Sequence, residues 1–159
     1  MIREVTPQDL SAAASLEALC FPKEEAADES SLKQRIQTFP NSFLLLEVEE
    51  NIIGMINGCI TNQKTITDDL YADVQKHDPH GDYQSVFGLD VHPDYQHQGY
   101  AKLLMHAFIK KAKAEGRKGL ILTCKKHLIG FYESFGYRNM GISDSTHGNV
   151  VWYDMILEF

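Results

Sequence analysis

The chain predicts an α/β fold: a mixed sheet with helices on both faces. Three observations carry that expectation. Apolar periodicity alternates along the chain in the order β-α-α-β-β-(α)-β-α-β-α-β-β. The run Gly-Leu-Ile-Leu-Thr-Cys at Gly119 to Cys124 is continuous, as in an interior strand. Val86 to Ala112 passes from a strand through a short loop into a helix with one apolar stripe.

Ile2 to Thr6 alternates as a short strand. Thr6-Pro7-Gln8-Asp9 has the residues of a helix start, with Thr as cap and Pro at the first helical position. Leu10, Ala13, Ala14, Leu16 and Leu19 continue that helix, and Phe21-Pro22 ends it. Lys23 to Glu29 is a charged loop; Ser30 or Ser31 then opens a second helix, closed by Pro40. Phe43 to Val48 is a buried strand and Ile52 to Ile60 its hairpin return, with Gly54 and Gly58 spaced for close packing or bulges. Lys64 to Tyr83 is long and polar, with a short helix around Leu70, Tyr71 and Val74 and a loop at His77 to Gly81. After the central strand and helix, Gly116 is the expected C-cap. Lys118 to Cys124 is a strand, and Lys126 to Phe135 is a short helix stopped by Gly136. Tyr137 to Ser143 and Val150 to Leu157 are strands across a turn at Thr146 to Asn149. Neither repeats nor low-complexity segments interrupt this order, so residues 1–159 are expected to form a single domain.

Composition narrows the function. The net charge of −7 argues against a nucleic-acid footprint, which needs a basic patch, and fits a cationic small partner. No apolar run approaches the ~18 residues of a membrane span, and Met1-Ile2-Arg3-Glu4-Val5 lacks the features of a signal peptide. Cys20, Cys59 and Cys124 are an odd number without a C-x-x-C, which fits reduced thiols in a cytoplasm. The histidines form no zinc-spaced cluster, so no metal is expected.

The chemistry concentrates where the central strand meets its helix. Val86, Leu89 and Val91 suit a buried strand, Pro93 ends it, and Ala101, Leu104, Met105, Phe108 and Ala112 recur at helical spacing. Gly99 sits at the turn into the helix. The first helical turn has N–H groups without internal partners and the positive end of the macrodipole, and a residue without Cβ lets a phosphate approach them. Neither G-x-G-x-x-G nor G-x-x-x-x-G-K-[ST] is present.

Gln96-His97-Gln98-Gly99-Tyr100-Ala101, preceded by Leu89-Asp90-Val91-His92-Pro93, resembles the (Arg/Gln)-x-x-Gly-x-(Gly/Ala) signature of the GNAT superfamily of N-acetyltransferases. Phe131-Tyr132-Glu133-Ser134-Phe135-Gly136-Tyr137 resembles its second signature, and together the similarity covers almost the whole chain. Thr6 to Asp9, Glu17 to Pro22, His77-x-Pro79-x-Gly81, and Cys124 eight residues before Tyr132 look like the arylalkylamine N-acetyltransferases in particular. One departure stands out. The vertebrate arylalkylamine enzymes carry two histidines on the central strand as a proposed proton relay; gapless matching puts Ser85 and Phe87 at those positions.

The resemblance implies the GNAT (acyl-CoA N-acyltransferase) fold with a splayed central strand, and acetyl-CoA as cofactor. It implies that the backbone of Leu89, Asp90 and Val91 receives the pantetheine arm as an added strand would. The N–H groups of Gln96, His97, Gln98, Gly99, Tyr100, Ala101 and Lys102 would take the pyrophosphate. The Leu89 N–H would contact the acetyl carbonyl. Tyr132, a phenol protonated at neutral pH, would be the general acid for the CoA sulfur. Phe21, Pro22 and Phe87 suggest an apolar pocket for the amine, hence an aromatic one. For the base, His77, His127, Glu17 and an ordered water chain stay open; His92 and His97 read as exposed loop residues. The acidic residues between Asp68 and Asp82 could draw an amine towards a lid. The expected activity is direct acetyl transfer to a primary amine of a small molecule. The rivals are acetylation of a protein amine and an acyl-CoA-binding module with little catalysis. A homodimer through edge strands or Val150–Leu157 is expected only by fold analogy.

Overall fold

The computed structural model describes residues 1–159 and divides the strands between two sheets. The first is antiparallel, ordered β1-β2-β3-β6: Ile2–Glu4, Phe43–Val48, Asn51–Asn57 and Gly88–Val91. The second runs β4-β5-β7-β9-β8: Ile60–Thr61, Tyr83–Val86, Gly119–Cys124, Tyr153–Glu158 and Arg138–Ile142. Within it only β5 and β7 pair in parallel. Helices α1 (Leu10–Cys20), α2 (Glu29–Thr38), α3 (Asp68–Ala72), α4 (Tyr100–Ala114) and α5 (Ile129–Glu133) cover them. No helix is long and apolar enough to cross a membrane.

Two expected strands break, and both breaks matter. The single central strand from Val86 to Val91 is two strands, because Phe87 leaves the ladder. The Phe87 N–H donates to Asn57 O at 2.7 Å, while Gly88 is also registered against Asn57. Two residues opposite one make a β-bulge, which bends the strand and increases its twist. The chain therefore pairs with β7 before the bulge and with β3 after it. The expected return strand Ile52 to Ile60 breaks at Gly58, passing from β3 in one sheet to β4 in the other. A Cβ on Gly58 would lie 2.0 Å from Ser85 O, so only glycine lets the two backbones cross this closely. From this seam the sheets diverge.

The remaining differences are local. Asp28 accepts from Ser31 N at 2.8 Å, so α2 opens at Glu29 rather than at Ser30 or Ser31. The Lys126 to Phe135 helix is a 3₁₀ turn, Lys126–Leu128, followed by α5. At the N-terminus the Thr6 N–H donates to Asp9 Oδ2 at 2.7 Å, and Arg3 clasps both Asp9 oxygens at 2.8 Å and Glu47 Oε1 at 2.6 Å. Leu104, Met105, Phe108 and Ala112 of α4 fill the larger core, between the first sheet and the Leu120, Leu122 and Met155 face of the second.

Candidate active site

The divergence of β6 from β7 opens a cavity of about 890 Å³. β6 is the last strand of its sheet, so its outer edge faces this cavity unpaired by any strand. The His92 N–H donates to Ile53 O at 2.7 Å, continuing the register. Antiparallel alternation then turns the backbone groups of Gly88 and Asp90 towards β3, and those of Leu89 and Val91 towards the cavity. The Val91 carbonyl is not free, since it accepts from Cys20 Sγ at 3.3 Å and Gln96 Nε2 at 3.1 Å. Gln96 thus braces the strand end with its side chain, where the family motif also permits an arginine.

At one end of the cavity the chain turns into α4 through two left-handed residues, His97 (φ 61°) and Gly99 (φ 87°, ψ 4°). No atom lies within 4 Å of where a Gly99 Cβ would stand. Leu103 N makes the first bond back, to Gly99 O at 3.1 Å. The N–H groups of Tyr100, Ala101 and Lys102 are therefore without intrahelical partners at the positive end of a 15-residue helix. Open space, free N–H groups and an unpaired strand edge fit a pyrophosphate and its pantetheine arm.

Across the cavity stands Tyr132 of α5, 8% exposed, its ring edge-on to Phe131 at 5.1 Å and Tyr137 at 5.9 Å. Burial foremost, then neighbouring Cys124 and Asp90, raises its pKa well above that of a free phenol, so it stays protonated. Burial pushes the Cys124 thiol up to about 11. Cys20 is pushed up to about 12 by burial and the nearby Asp90 and Glu17. Neither is a thiolate nucleophile at neutral pH.

The far end of the cavity is aromatic and bordered by three segments that contact one another. Phe21, Pro22, Tyr71, Phe87, His147 and Trp152 line it. Ser145 Oγ and the Thr146 N–H donate to Asp68, and His147 Nε2 lies 2.9 Å from Glu25 O. Lys125 Nζ lies 2.8 Å from Glu25 Oε1.

Below this end lies a polar niche that the sequence does not foretell. Asp90 is fully buried, Asn57 likewise, Glu17 is 3% exposed, and Arg35 2%. Arg35 Nη1 donates to Asn57 Oδ1 at 2.9 Å while its guanidinium lies over the rings of Tyr71 and Phe87. Glu17 Oε2 accepts from Ala27 N at 2.9 Å. Glu17 Oε1, both Asp90 oxygens and Asn57 Nδ2 have no partner. Burial first, then the adjacent Glu17, holds the Asp90 carboxyl well above the usual carboxylate range, opposed by Arg35.

Of the residues expected to meet the cofactor, Leu89, Val91, Gln96, His97, Gly99, Tyr100, Ala101, Lys102 and Tyr132 line the cavity; Asp90 and Gln98 do not. The correction for Asp90 has a plain cause: its backbone is turned to β3 and its side chain is buried behind Gly88. Phe21, Pro22 and Phe87 all line the acceptor end. Among the candidate bases, His77 is structural: its Nδ1 accepts from Ile60 N at 3.0 Å, and burial, with Arg117 adding to it, lowers its pKa. His127 lines the cavity but is exposed. Ser85 is fully buried and its hydroxyl donates to Cys59 O at 2.9 Å.

Known proteins share this architecture. In the solved structure of the GphF GNAT-like decarboxylase in complex with isobutyryl-CoA, 99% of this chain superposes on 98% of that one at TM-score 0.84 and 22% identity. The ribosomal-protein-S18-alanine N-acetyltransferase from Escherichia coli matches over 99% of this chain and 92% of that one, at TM-score 0.74 and 19% identity. In sequence, the uncharacterized N-acetyltransferase YkwB of Bacillus subtilis is 30% identical over 116 residues, 66% of this chain and 51% of YkwB. The chain thus spans about half the length of that relative. The model of the Acetyltransferase (GNAT) family matches residues 10–137, from the start of α1 to the residue after the second signature's glycine. With the splayed strand, the left-handed turn into α4 and Tyr132 all inside that match, the chain belongs to the acetyltransferase (GNAT) family.

Proposed function

We propose that the protein is an acetyl-CoA-dependent N-acetyltransferase that acts on a primary amine of a small molecule, preferentially an arylalkylamine, by direct transfer. The carrying observation is the open edge of β6 at Leu89, with the Gly99 turn at one end of the same cavity and Tyr132 on its wall. Acetyl-CoA would supply the acyl carbon, activated as a thioester. The N–H groups of Tyr100, Ala101 and Lys102 hold the pyrophosphate. Leu89 N–H donates to the acetyl oxygen as negative charge grows there. Tyr132 gives its proton to the departing sulfur.

Two features favour a small aromatic amine over a peptide. The acceptor end is lined by aromatic rings, and the contacts among Glu25, Asp68, Ser145 and His147 bridge segments across the region where an extended chain would need a groove.

Thiol release from acetyl-CoA, measured against tryptamine, phenethylamine, spermidine, a lysine peptide and a no-amine control, tests this reading. Tryptamine and phenethylamine should turn over fastest. Turnover of the peptide alone would replace the reading with protein acetylation. Tight binding of acetyl-CoA with no amine above background would leave a binding module.

A further inference from the structure

The catalytic groups assigned above include no base, yet an aliphatic amine reaches the site protonated, with a pKa about 10. We propose that Glu17 and Asp90, sharing one proton over the Cα of Gly88, form the acceptor for the proton of the substrate ammonium. This rests on the N-acetyltransferase reading and adds the residues that prepare the nucleophile.

The geometry converges on one point. Where a Cβ on Gly88 would stand, Asp90 Oδ1 lies at 3.2 Å, Glu17 Oε1 at 3.7 Å and Asn57 Nδ2 at 3.8 Å. All three atoms are buried and unpartnered, and unsatisfied polar atoms are costly inside a protein. A proton shared between the two carboxyls answers that cost, and a hydrogen bond to Glu17 is among the causes that raise the Asp90 pKa. Arg35 fixes the arrangement: by donating to Asn57 Oδ1 it obliges Nδ2 to face the other way. Glu17 and Gly88 line the cavity while Asp90 and Asn57 stand behind them, so the niche opens to the cavity beside Leu89.

The charges suit the task. A pair sharing one proton carries one negative charge and attracts an ammonium; on accepting a second proton it becomes neutral, the state that burial favours. Arg35 of α2 supplies the facing positive charge. Cys20 of α1, Tyr71 of α3 and Tyr132 of α5 face the pair as protonated groups, each with its pKa raised by burial.

The step balances. Glu17 Oε1 takes one proton from the ammonium. The freed lone pair forms the C–N bond as the C–S bond breaks. Tyr132 protonates the sulfur and recovers the second proton from the nitrogen. The carboxyl pair then returns its proton to solvent.

Glu17→Gln is the first test, since a glutamine oxygen can still accept from Ala27 N. With tryptamine, kcat/KM should fall roughly 10²- to 10³-fold, the range of general acid–base catalysis, with acetyl-CoA affinity by calorimetry unchanged. With trifluoroethylamine, an amine already neutral at pH 7, the loss should shrink to less than about tenfold, because no ammonium proton has to be removed. Gly88→Ala, which puts a methyl group into the niche, should give the same split. Equal losses with both amines would mark Glu17 as structural, and activity within twofold of native would remove it from the mechanism. Native enzyme provides a variant-free check: turnover of tryptamine that simply tracks the free-amine fraction as pH rises overturns the proposal. Native enzyme inactive with every amine, by contrast, refutes the N-acetyltransferase reading itself.

Discussion

Tyr132 and Asp90 show what one residue reveals and conceals. Tyr132 is legible from the chain because its signature is local: an aromatic, then a glycine, at fixed spacing on one short helix. Its buried, protonated phenol on the cavity wall, if it serves the CoA sulfur as proposed, predicts a selective defect. Tyr132→Phe should reduce kcat roughly 10²-fold while leaving the acetyl-CoA Kd from calorimetry within a factor of about two, since the ring keeps its packing against Phe131 and Tyr137. Asp90 was equally visible as a letter in Leu-Asp-Val but not in its role. Period-two reading gives the side of a strand that a residue takes, not what waits there. The niche needs Glu17 from the first helix, Arg35 from the second and Asn57 from the hairpin, and only tertiary folding brings these together. Ser85 and Phe87 stand where the resemblance expects histidines; Glu17 is one of several candidate bases the chain offers, but nothing local couples it to Asp90.

Elements were legible where their signals are local. Capping residues, prolines and glycines marked the ends of α1, α2 and α4 to within a turn, although Thr6 to Asp9 does not open α1 directly: Pro7–Asp9 is a 3₁₀ turn and the Thr6 side chain makes no cap bond. The resemblance implies a splayed central strand, and Gly58 is marked for close packing or a bulge; the residues at which the strands break were not legible, because a bulge at Phe87 and a crossing at Gly58 depend on which sheet each half joins. Two predictions belong to elements. The turn into α4 needs φ 87° at residue 99, so Gly99→Ala should lower stability by about 1–2 kcal/mol from left-handed strain. The open space there lets the protein still fold, so urea titration should show that modest loss while acetyl-CoA binding weakens at least tenfold. The N-terminal clasp is electrostatic. Arg3 holds the Asp9 carboxyl down to about 2, from 3.8. A depressed carboxyl stabilises the fold above its unfolded pKa and loses that contribution as pH falls through the folded value. Asp9→Asn should therefore cost about 1 kcal/mol at neutral pH, after allowance for solvent screening. Urea midpoints of variant and native protein should converge as pH falls from about 4 towards about 2.

At the scale of the whole molecule, the two sheets are joined at the Gly58 and Phe87 seam and by α4, and part between β6 and β7. Close to that seam the ladder is dense: Ser85 N donates to Cys59 O at 2.9 Å and Gln84 Nε2 to Gly58 O at 2.9 Å. Beyond it no strand pairs with the outer edge of β6. A ligand that fills the gap completes a missing strand and ties the halves together. Ligand linkage alone gives about 2.7 kcal/mol at a hundredfold excess over Kd, which for a domain of this size corresponds to a rise in Tm of about 5–10 °C. The distribution of the effect is the sharper test. Amide exchange at Leu89, whose N–H faces the gap, should slow sharply on adding acetyl-CoA. Exchange at Gly88 and Asp90, already turned to β3, should change only by the global stabilisation. Uniform slowing of all three would mean that the cofactor stabilises the fold without pairing along β6. The assignment of Leu89 N–H to the acetyl oxygen would then have to be given up.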